Sequence, residues 1–451
     1  MMDSDTLTNK SISRLIIELE KSFSPNEFSL FGINFWPIIR LHLFFKLVSR
    51  NYKNSANPKK IDFEKCNKSS RYSTRGQSDL FVTHSNYFIK VNNEIHDRVL
   101  GKLISNSSNP IVLDLSDYSL YSGKIGQKIG SIRHAIVFLK IVSFLAAIFF
   151  QVNHSFKSNI RLLRETAKIE NDIHSIFGMD LRKKIFFVYF LSLYSSRLLK
   201  KYKVKNIYQS MYYDNFGLAS TLAADNLRIT SHCVQHGGQS ENNPIFGNWS
   251  NTPSYGYQFL PNIFLCWDDL SAKSINNWAK KTEKHTTQII GYGWIDIWKD
   301  NKKSDSENTS KGQNHTGLLQ IIVTLQPSVD LMKSFLYEFI KSNHADISWL
   351  LRVHPRQNNE KYISTLTKEF SEVPFLKVES SDTPLPEMLE MSNVHITFFS
   401  SSIYEAKYLN VPTIIVDKRG LDYFESLIDD GFATYAEDKE TLSRTINNFL
   451  K

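Results

Sequence analysis

Three consecutive serines, Ser400, Ser401 and Ser402, sit between a β-branched and aromatic run, 394–399, and a helix-forming stretch, 403–409. That placement suits one chemistry. Serine hydroxyls and the unbonded N–H groups of a first helical turn converge on one spot, and the helix dipole favours an anion there. The same serines also suit a plain helix cap, so the neighbouring residues decide between the two uses. Upstream lie Gln326-Pro327-Ser328 after the apolar run 319–325, and His354-Pro355-Arg356 after the run 349–353. In a parallel sheet the carboxyl ends of all strands share one edge, so Gln326, His354, Arg356 and the serines are expected on one rim. Arg352, two residues before His354, points to the same side of its strand and supports that rim or forms an ion pair beneath it.

A second set of residues is titratable. His84 follows the run 80–83, Asp214 follows 206–209, and His236-Gly237-Gly238 follows 232–235. His236 is the first candidate for a general base, because imidazole titrates near neutral pH and two glycines let a substrate approach closely. Asp214 and Glu241 are competing carboxylates, and His84 is a weaker candidate. His84, Gln235, Gly237, Gly238 and Glu241 are assigned to the acceptor side. Two such rims facing each other make a cleft, with anion-binding groups on one wall and proton-transfer groups on the other.

The elements that position these residues alternate. Short apolar runs at 80–83, 111–115, 206–209, 232–235, 263–267 and 287–290 read as strands of one α/β domain, with helices between them. Runs at 319–325, 349–353, 375–378, 394–399 and 413–416 read as strands of a second. Asn410 is placed to stop the helix after the serines and Pro412 cannot extend it. The expected organisation is N-terminal helices and a polar linker over 1–78, an acceptor domain over 79–297, an interdomain linker over 298–317, and a donor domain over 318–451. The polar stretch 300–313 carries the boundary. The loop 242–258 reads as a binding loop.

Two apolar stretches stand apart. Residues 31–47 are aromatic with Arg40, His42 and Lys46 interspersed, and read as a core helix begun by Pro37 or as an interfacial one. Residues 135–152 are the most hydrophobic window, with Lys140 inside and basic residues on both sides, and read as a buried or membrane-docking helix rather than a span. With the aromatic helix 185–199 they suit one apolar, basic face. The chain has 54 Lys and Arg against 45 Asp and Glu, a net charge of +9, which favours acidic partners such as phosphates, nucleotides or anionic lipid. No nucleic-acid motif accompanies that charge. The cysteines, Cys66, Cys233 and Cys266, lack metal or redox spacing. The first residues lack a signal-peptide pattern, so the expected location is cytoplasmic, peripheral to the inner face of the membrane.

From residue 80 onward the chain resembles GT-B glycosyltransferases of bacterial surface polysaccharides: the polysialyltransferases, the capsule Kdo transferases and the CDP-glycerol glycerophosphotransferases. The features that carry the resemblance are Gln235-His236-Gly237, His354-Pro355, the serine run some forty residues on, Glu405-Ala406 and Val411-Pro412. The resemblance implies an α/β fold of two Rossmann-like domains facing across a cleft, with extra N-terminal helices. It implies that His354 contacts the donor phosphate, that Pro355 fixes the turn, that Ser400 to Ser402 hold the same phosphate, that Glu405 accepts from the ribose or base, and that Gln326-Pro327 lies near the nucleotide. The acidic motif of the sialyltransferases is missing from the first domain, and Asp429-Asp430-Gly431 has its spelling at the other end of the chain. The expected function is metal-independent, cofactor-free transfer of a sugar from a CMP-sugar or other nucleotide sugar to a glycan or glycolipid acceptor. A sugar-nucleotide 2-epimerase and a non-catalytic scaffold are the alternatives.

Overall fold

The structure, a computed structural model, describes residues 9–30, 32–51, 76–91, 94–122, 128–149, 178–305, 317–327, 329–342 and 346–450. Ser328, Cys66, residues 150–152 and most of the polar stretches 51–77 and 300–313 lie outside the described residues. The chain divides into two compact units, with a boundary between Ile297 and Trp298.

In the first unit, β1 (Ser78–Thr83), β2 (Pro110–Asp114), β3 (Ser119–Ser122), β4 (Lys128–Ser131), β5 (Val204–Gln209), β6 (Thr230–Val234), β7 (Ile263–Cys266) and β8 (Thr286–Ile289) form an eight-stranded sheet. Its order is β8-β7-β6-β5-β1-β2-β3-β4. The strands from β8 to β2 in that order are parallel. The last two are antiparallel. Those two strands, SLYS and KIGS, lack the apolar run by which the others are legible. Leu80 and Val82 pack into one core while Phe81 packs into a second with Val112, Val234 and Leu265. Alternate side chains therefore bury on opposite faces, as a sheet covered on both sides requires.

The second unit is a six-stranded, wholly parallel sheet of β9 (Leu319–Thr324), β10 (Ile347–Arg352), β11 (Leu376–Glu379), β12 (Val394–Thr397), β13 (Thr413–Ile415) and β14 (Ala433–Tyr435). Its order is β11-β10-β9-β12-β13-β14. Numbered within the unit, that is 3-2-1-4-5-6, the order of a nucleotide-binding doubly wound sheet. The α/β class with two Rossmann-like units and added N-terminal helices is thus the observed one. Asn410 ends its helix with φ of 56°, the left-handed value expected of a helix stop. The polar linker begins later than its composition indicates. The helix Gly293–Asp305 runs into it because Trp294, Ile295 and Trp298 bury on one side and carry the helix forward.

The aromatic stretch near residue 40 is the helix Trp36–Asn51, and it is core rather than interface. Arg40 is 0% exposed and forms an ion pair with Glu20, itself 1% exposed. Its Nη2 also donates to the carbonyls of Gly247 and Asn248 at 3.0 and 3.1 Å. Glu20 in turn accepts from the Trp36 indole at 2.9 Å and the Ser250 amide at 2.9 Å. The loop expected to bind ligand is therefore pinned to the N-terminal helices, with Ile245, Phe246, Trp249 and Tyr257 buried. We expect Arg40→Ala, which strands a buried carboxylate, to cost about 3–5 kcal/mol in urea unfolding. The double change Arg40→Met/Glu20→Gln should recover part of that loss, and an unchanged midpoint for the single variant would refute the clamp.

Candidate functional site

The register of the second sheet sets its rim. Thr324 stands level with Arg352 and with Thr397, so β9, β10 and β12 end together. Two or three residues further on come Gln326, His354 and Ser400. The crossover from β9 leads to β10 on one side and the crossover from β12 leads to β13 on the other, so the crevice between β9 and β12 is the switch point where such sheets bind ligands.

His354 is the N-cap of a short 3₁₀ turn, Pro355–Gln357, and its Nδ1 accepts the Arg356 amide at 3.1 Å. That bond places the proton of the neutral ring on Nε2, which makes Nε2 a hydrogen-bond donor. Pro355 at the first position of the turn supplies the fixed φ such a start needs. Arg356 is exposed beside it. Gln326 is 9% exposed, and its Oε1 has no hydrogen-bond partner. Pro327 follows at the rim, half-buried.

The three serines divide. Ser400 is half-buried and Ser401 is exposed, while Ser402 is buried. The Ser402 hydroxyl lies 3.0 Å from Thr324 Oγ1 and 3.4 Å from His395 Nε2. His395 also meets Thr324 at 3.0 Å and Thr413 at 3.0 Å. Burial pushes this histidine down to about 3, so the ring is neutral and part of a sheet-to-helix network. The expected use of Ser402 as a phosphate ligand is corrected: its hydroxyl is committed beneath the rim, and Ser400 and Ser401 remain. Arg352 is likewise structural, donating from Nη2 to the carbonyls of Ser381 and Thr383 at 3.1 and 3.0 Å. Glu405 is buried in the first turn of the helix Ser402–Tyr408.

The first sheet has its own switch point, between β1 and β5, which lead to β2 on one side and β6 on the other. His84 follows β1, and Asp214 caps the helix Asn215–Leu227 beyond β5. Asp214 Oδ1 accepts the Gly217 amide at 2.5 Å, and its Oδ2 lies 3.3 Å from His84 Nε2. Both side chains are partly exposed, at 22% and 24%. A backbone bond therefore fixes the carboxylate and leaves its second oxygen to orient the imidazole.

His236 sits against this pair but is differently placed. Its Nε2 is 3.0 Å from the Tyr213 hydroxyl, and its ring packs edge-on to Tyr87. Burial pushes its pKa down to about 4. A ring this weakly basic and already engaged by a phenol is a poor proton acceptor at neutral pH, so His236 does not suit the base role expected of it. Gln235 is 0% exposed and wholly engaged. It donates to Gly237 O and Ser271 Oγ, both at 3.0 Å, and accepts the Trp267 amide at 2.7 Å. It fixes the loop from beneath and does not line the acceptor side. Gly237 and Gly238 are half-buried at the loop surface. Glu241 is exposed and accepts a hydrogen bond from Asn277.

The sequence reading missed Lys184. It lies on the helix Met179–Lys201, which packs against the helix that Asp214 caps. Burial lowers its amine to about 8, and the Asp214 charge works in the opposite direction. In sequence Lys184 stands among Arg182 and Lys183 and looks like one member of a solvated basic stripe. Among the described residues no group of three His, Cys, Asp or Glu side chains is arranged to hold a metal.

No protein family matches this chain, and no curated protein aligns with it. Solved structures that it resembles include the UDP-GlcNAc 2-epimerase of Methanocaldococcus jannaschii in complex with UDP-GlcNAc and UDP. That pair has 13% identity over 83% of this chain and 93% of the other, with a TM-score of 0.47. The S. aureus MnaA–UDP co-structure has 11% identity over 83% and 88%, with a TM-score of 0.46. The glycosyltransferase SnogD from Streptomyces nogalater has 14% identity over 80% and 87%, with a TM-score of 0.42. At these identities and TM-scores the likenesses assign no activity.

Lys184 offers a direct check on the first rim. Its reactivity toward an amine-modifying reagent should rise with a midpoint near pH 8, and Asp214→Asn should move that midpoint lower, since the carboxylate favours the charged amine. Because the folded pKa lies below the usual 10.5, the folded chain binds fewer protons between those values and its stability should increase with pH across that window. Lys184→Met should abolish that increase; a midpoint near 10.5 would remove Lys184 from the site.

Proposed function

We propose that the protein is a GT-B glycosyltransferase that moves a sugar from a nucleotide donor, a CMP-sugar, to a surface-polysaccharide or glycolipid acceptor on the cytoplasmic side of the membrane. The observation that carries the reading is the C-terminal sheet, where Gln326, His354 and Ser400 follow three level strands around the switch point of a 3-2-1-4-5-6 order. Phosphate recognition there would use the His354 Nε2–H, the Ser400 and Ser401 hydroxyls and the adjoining amides, with Gln326 and Glu405 toward the nucleoside. These donors stabilise charge on a leaving phosphate without a metal. Proton transfer is assigned to His84, held by Asp214.

In the reaction, the acceptor oxygen bonds to the anomeric carbon and the bond from that carbon to the phosphate oxygen breaks. The electron pair leaves with the nucleotide. The acceptor proton goes to His84 Nδ1, the nitrogen turned from Asp214, and Asp214 stabilises the imidazolium. Lys184 adds positive charge nearby.

The test is a thermal-shift series with CMP, CDP, UDP and GDP, since a ligand bound by the native state alone raises its melting temperature. We expect a cytidine nucleotide to give the largest shift, and His354→Ala or the pair Ser400→Ala/Ser401→Ala to abolish it. Wild-type shifts in both variants would overturn the phosphate site. Turnover should fall roughly 10²–10⁴-fold in His84→Ala and Asp214→Asn with the nucleotide shift retained. It should fall much less in His236→Gln, and should survive EDTA. Conversion of one nucleotide sugar to another with no acceptor present would replace the reading with the epimerase.

A further inference from the structure

The helix Arg133–Phe149 is apolar on both sides. One side, with Ile136, Ser143, Ala146 and Ala147, is buried and packs on the helix Met179–Lys201. The other side exposes Val137, Phe138, Ile141, Phe144, Leu145, Ile148 and Phe149, by 46% to 75% of their surfaces. At 100° per residue these seven side chains fall on one arc of about 140° that runs roughly 18 Å along the helix. A contiguous exposed patch of this kind marks a binding surface rather than scattered surface apolar residues.

Charge identifies what covers it. The helix has no acidic residue, and Arg133, His134 and Lys140 are all exposed on it. Arg133 and Lys140 border the arc on one edge. The Lys183 ammonium sits 4.9 Å over the Phe144 ring. An apolar stripe bordered by Arg133, Lys140 and Lys183 complements an anionic lipid surface, with side chains among the acyl chains and cations at the headgroups. Among the described residues no helix is long and apolar enough to cross a membrane, and Arg133–Phe149 packs along the helix Met179–Lys201.

The same helix starts at the first rim. Two residues before its first, Ser131 Oγ accepts the Arg133 amide at 3.3 Å and donates to the Tyr118 carbonyl at 3.0 Å. The Ile132 amide donates to that same carbonyl at 2.9 Å. Burial and then the Asp214 charge push the Tyr118 phenol up, so Tyr118 lies within electrostatic reach of the proposed acid–base pair. We propose that the exposed face of Arg133–Phe149 docks on an anionic bilayer and holds the His84–Asp214 rim at the headgroup level, so that the acceptor is a lipid-linked glycan presented from the membrane. The choice of acceptor rests on the transferase reading; the docking does not.

The experiment uses the full chain with sucrose-loaded vesicles of phosphatidylcholine, alone or with phosphatidylglycerol. We expect sedimentation with the mixed vesicles, little with phosphatidylcholine alone, and a marked loss between 0.1 and 0.5 M salt. Phe138→Glu/Ile141→Glu should lower partitioning by about tenfold or more, since both side chains leave the lipid. Its melting temperature and nucleotide shift should stay at wild-type values, because both positions already face solvent. Arg133→Gln/Lys140→Gln should remove the salt-sensitive part alone. Transfer to a lipid-linked acceptor extract in vesicles should be lost in the glutamate variant and regained when the same extract is dispersed in detergent. A wild-type chain indifferent to both vesicles overturns the docking. So does a dimer that the glutamate pair dissociates, which would make the face an interface between copies. Full transfer in vesicles by that variant overturns the lipid-presented acceptor. Vesicle binding with no nucleotide shift and no transfer by the wild type leaves the docking intact and removes the transferase reading.

Discussion

Two adjacent parallel strands whose crossovers leave in opposite directions have a gap at their carboxyl ends that neither crossover helix covers. Both units of this protein are built on that constraint, at β1 and β5 in the first and at β9 and β12 in the second. Whatever polar residues follow those strands are held at the gap by a sheet buried on both faces. In the second unit the level ends of Thr324, Arg352 and Thr397 make the placement one of register rather than of loop geometry. In the first unit Asp214 is fixed by its helix cap, which leaves one carboxylate oxygen for His84.

The same edges must also satisfy their own backbone and buried polar groups, and this requirement sorts residues of one type into two populations. Ser402 joins Thr324, Thr397, Thr413 and the neutral His395 in a network that ties the helix start to three strands. Gln235 holds its own loop and the chain after β7 together. Arg352 fixes the turn after β11. What remains at the surface of the gaps is a smaller set: Gln326, His354, Ser400 and Ser401 in one unit, His84 and Asp214 in the other. An apolar substitute at a committed position strands its buried partners, so those residues support the site through the fold.

This sorting explains what was legible in the sequence. Strands such as β9 and β12 are apolar runs between turn residues, and their recurrence gives the α/β class directly. The rim follows from residues just after those runs, and Gln326, His354, Ser400, His84 and Asp214 are all found that way. The division between Ser400 and Ser402 is not local. It depends on Thr324, 78 positions from Ser402, which becomes a neighbour only when β9 and β12 pair. The loop 242–258 looked polar because its composition is polar, yet Arg40 and Glu20, more than 200 positions away, turn its aromatic residues inward. Lys184 was illegible for the converse reason: a lysine in a basic run gives no sign of which neighbours desolvate it.

Lys183 and Lys184 also join the two halves of the first unit's chemistry. Successive residues of a helix point about 100° apart, so a helix lying between two structures can send adjacent side chains to each. Lys183 reaches the exposed aromatic face of Arg133–Phe149, while Lys184 feels Asp214. The helix that carries them is itself buried along Leu181, Ile185, Val188 and Leu191. One helix thereby carries both the lysine at the Phe144 ring and the lysine that the Asp214 charge reaches. At the other end of the apolar helix the Tyr118 carbonyl makes a second connection, through Ser131 and Ile132. The helix Arg133–Phe149 is thus held along its buried side by Met179–Lys201 as well as at its start.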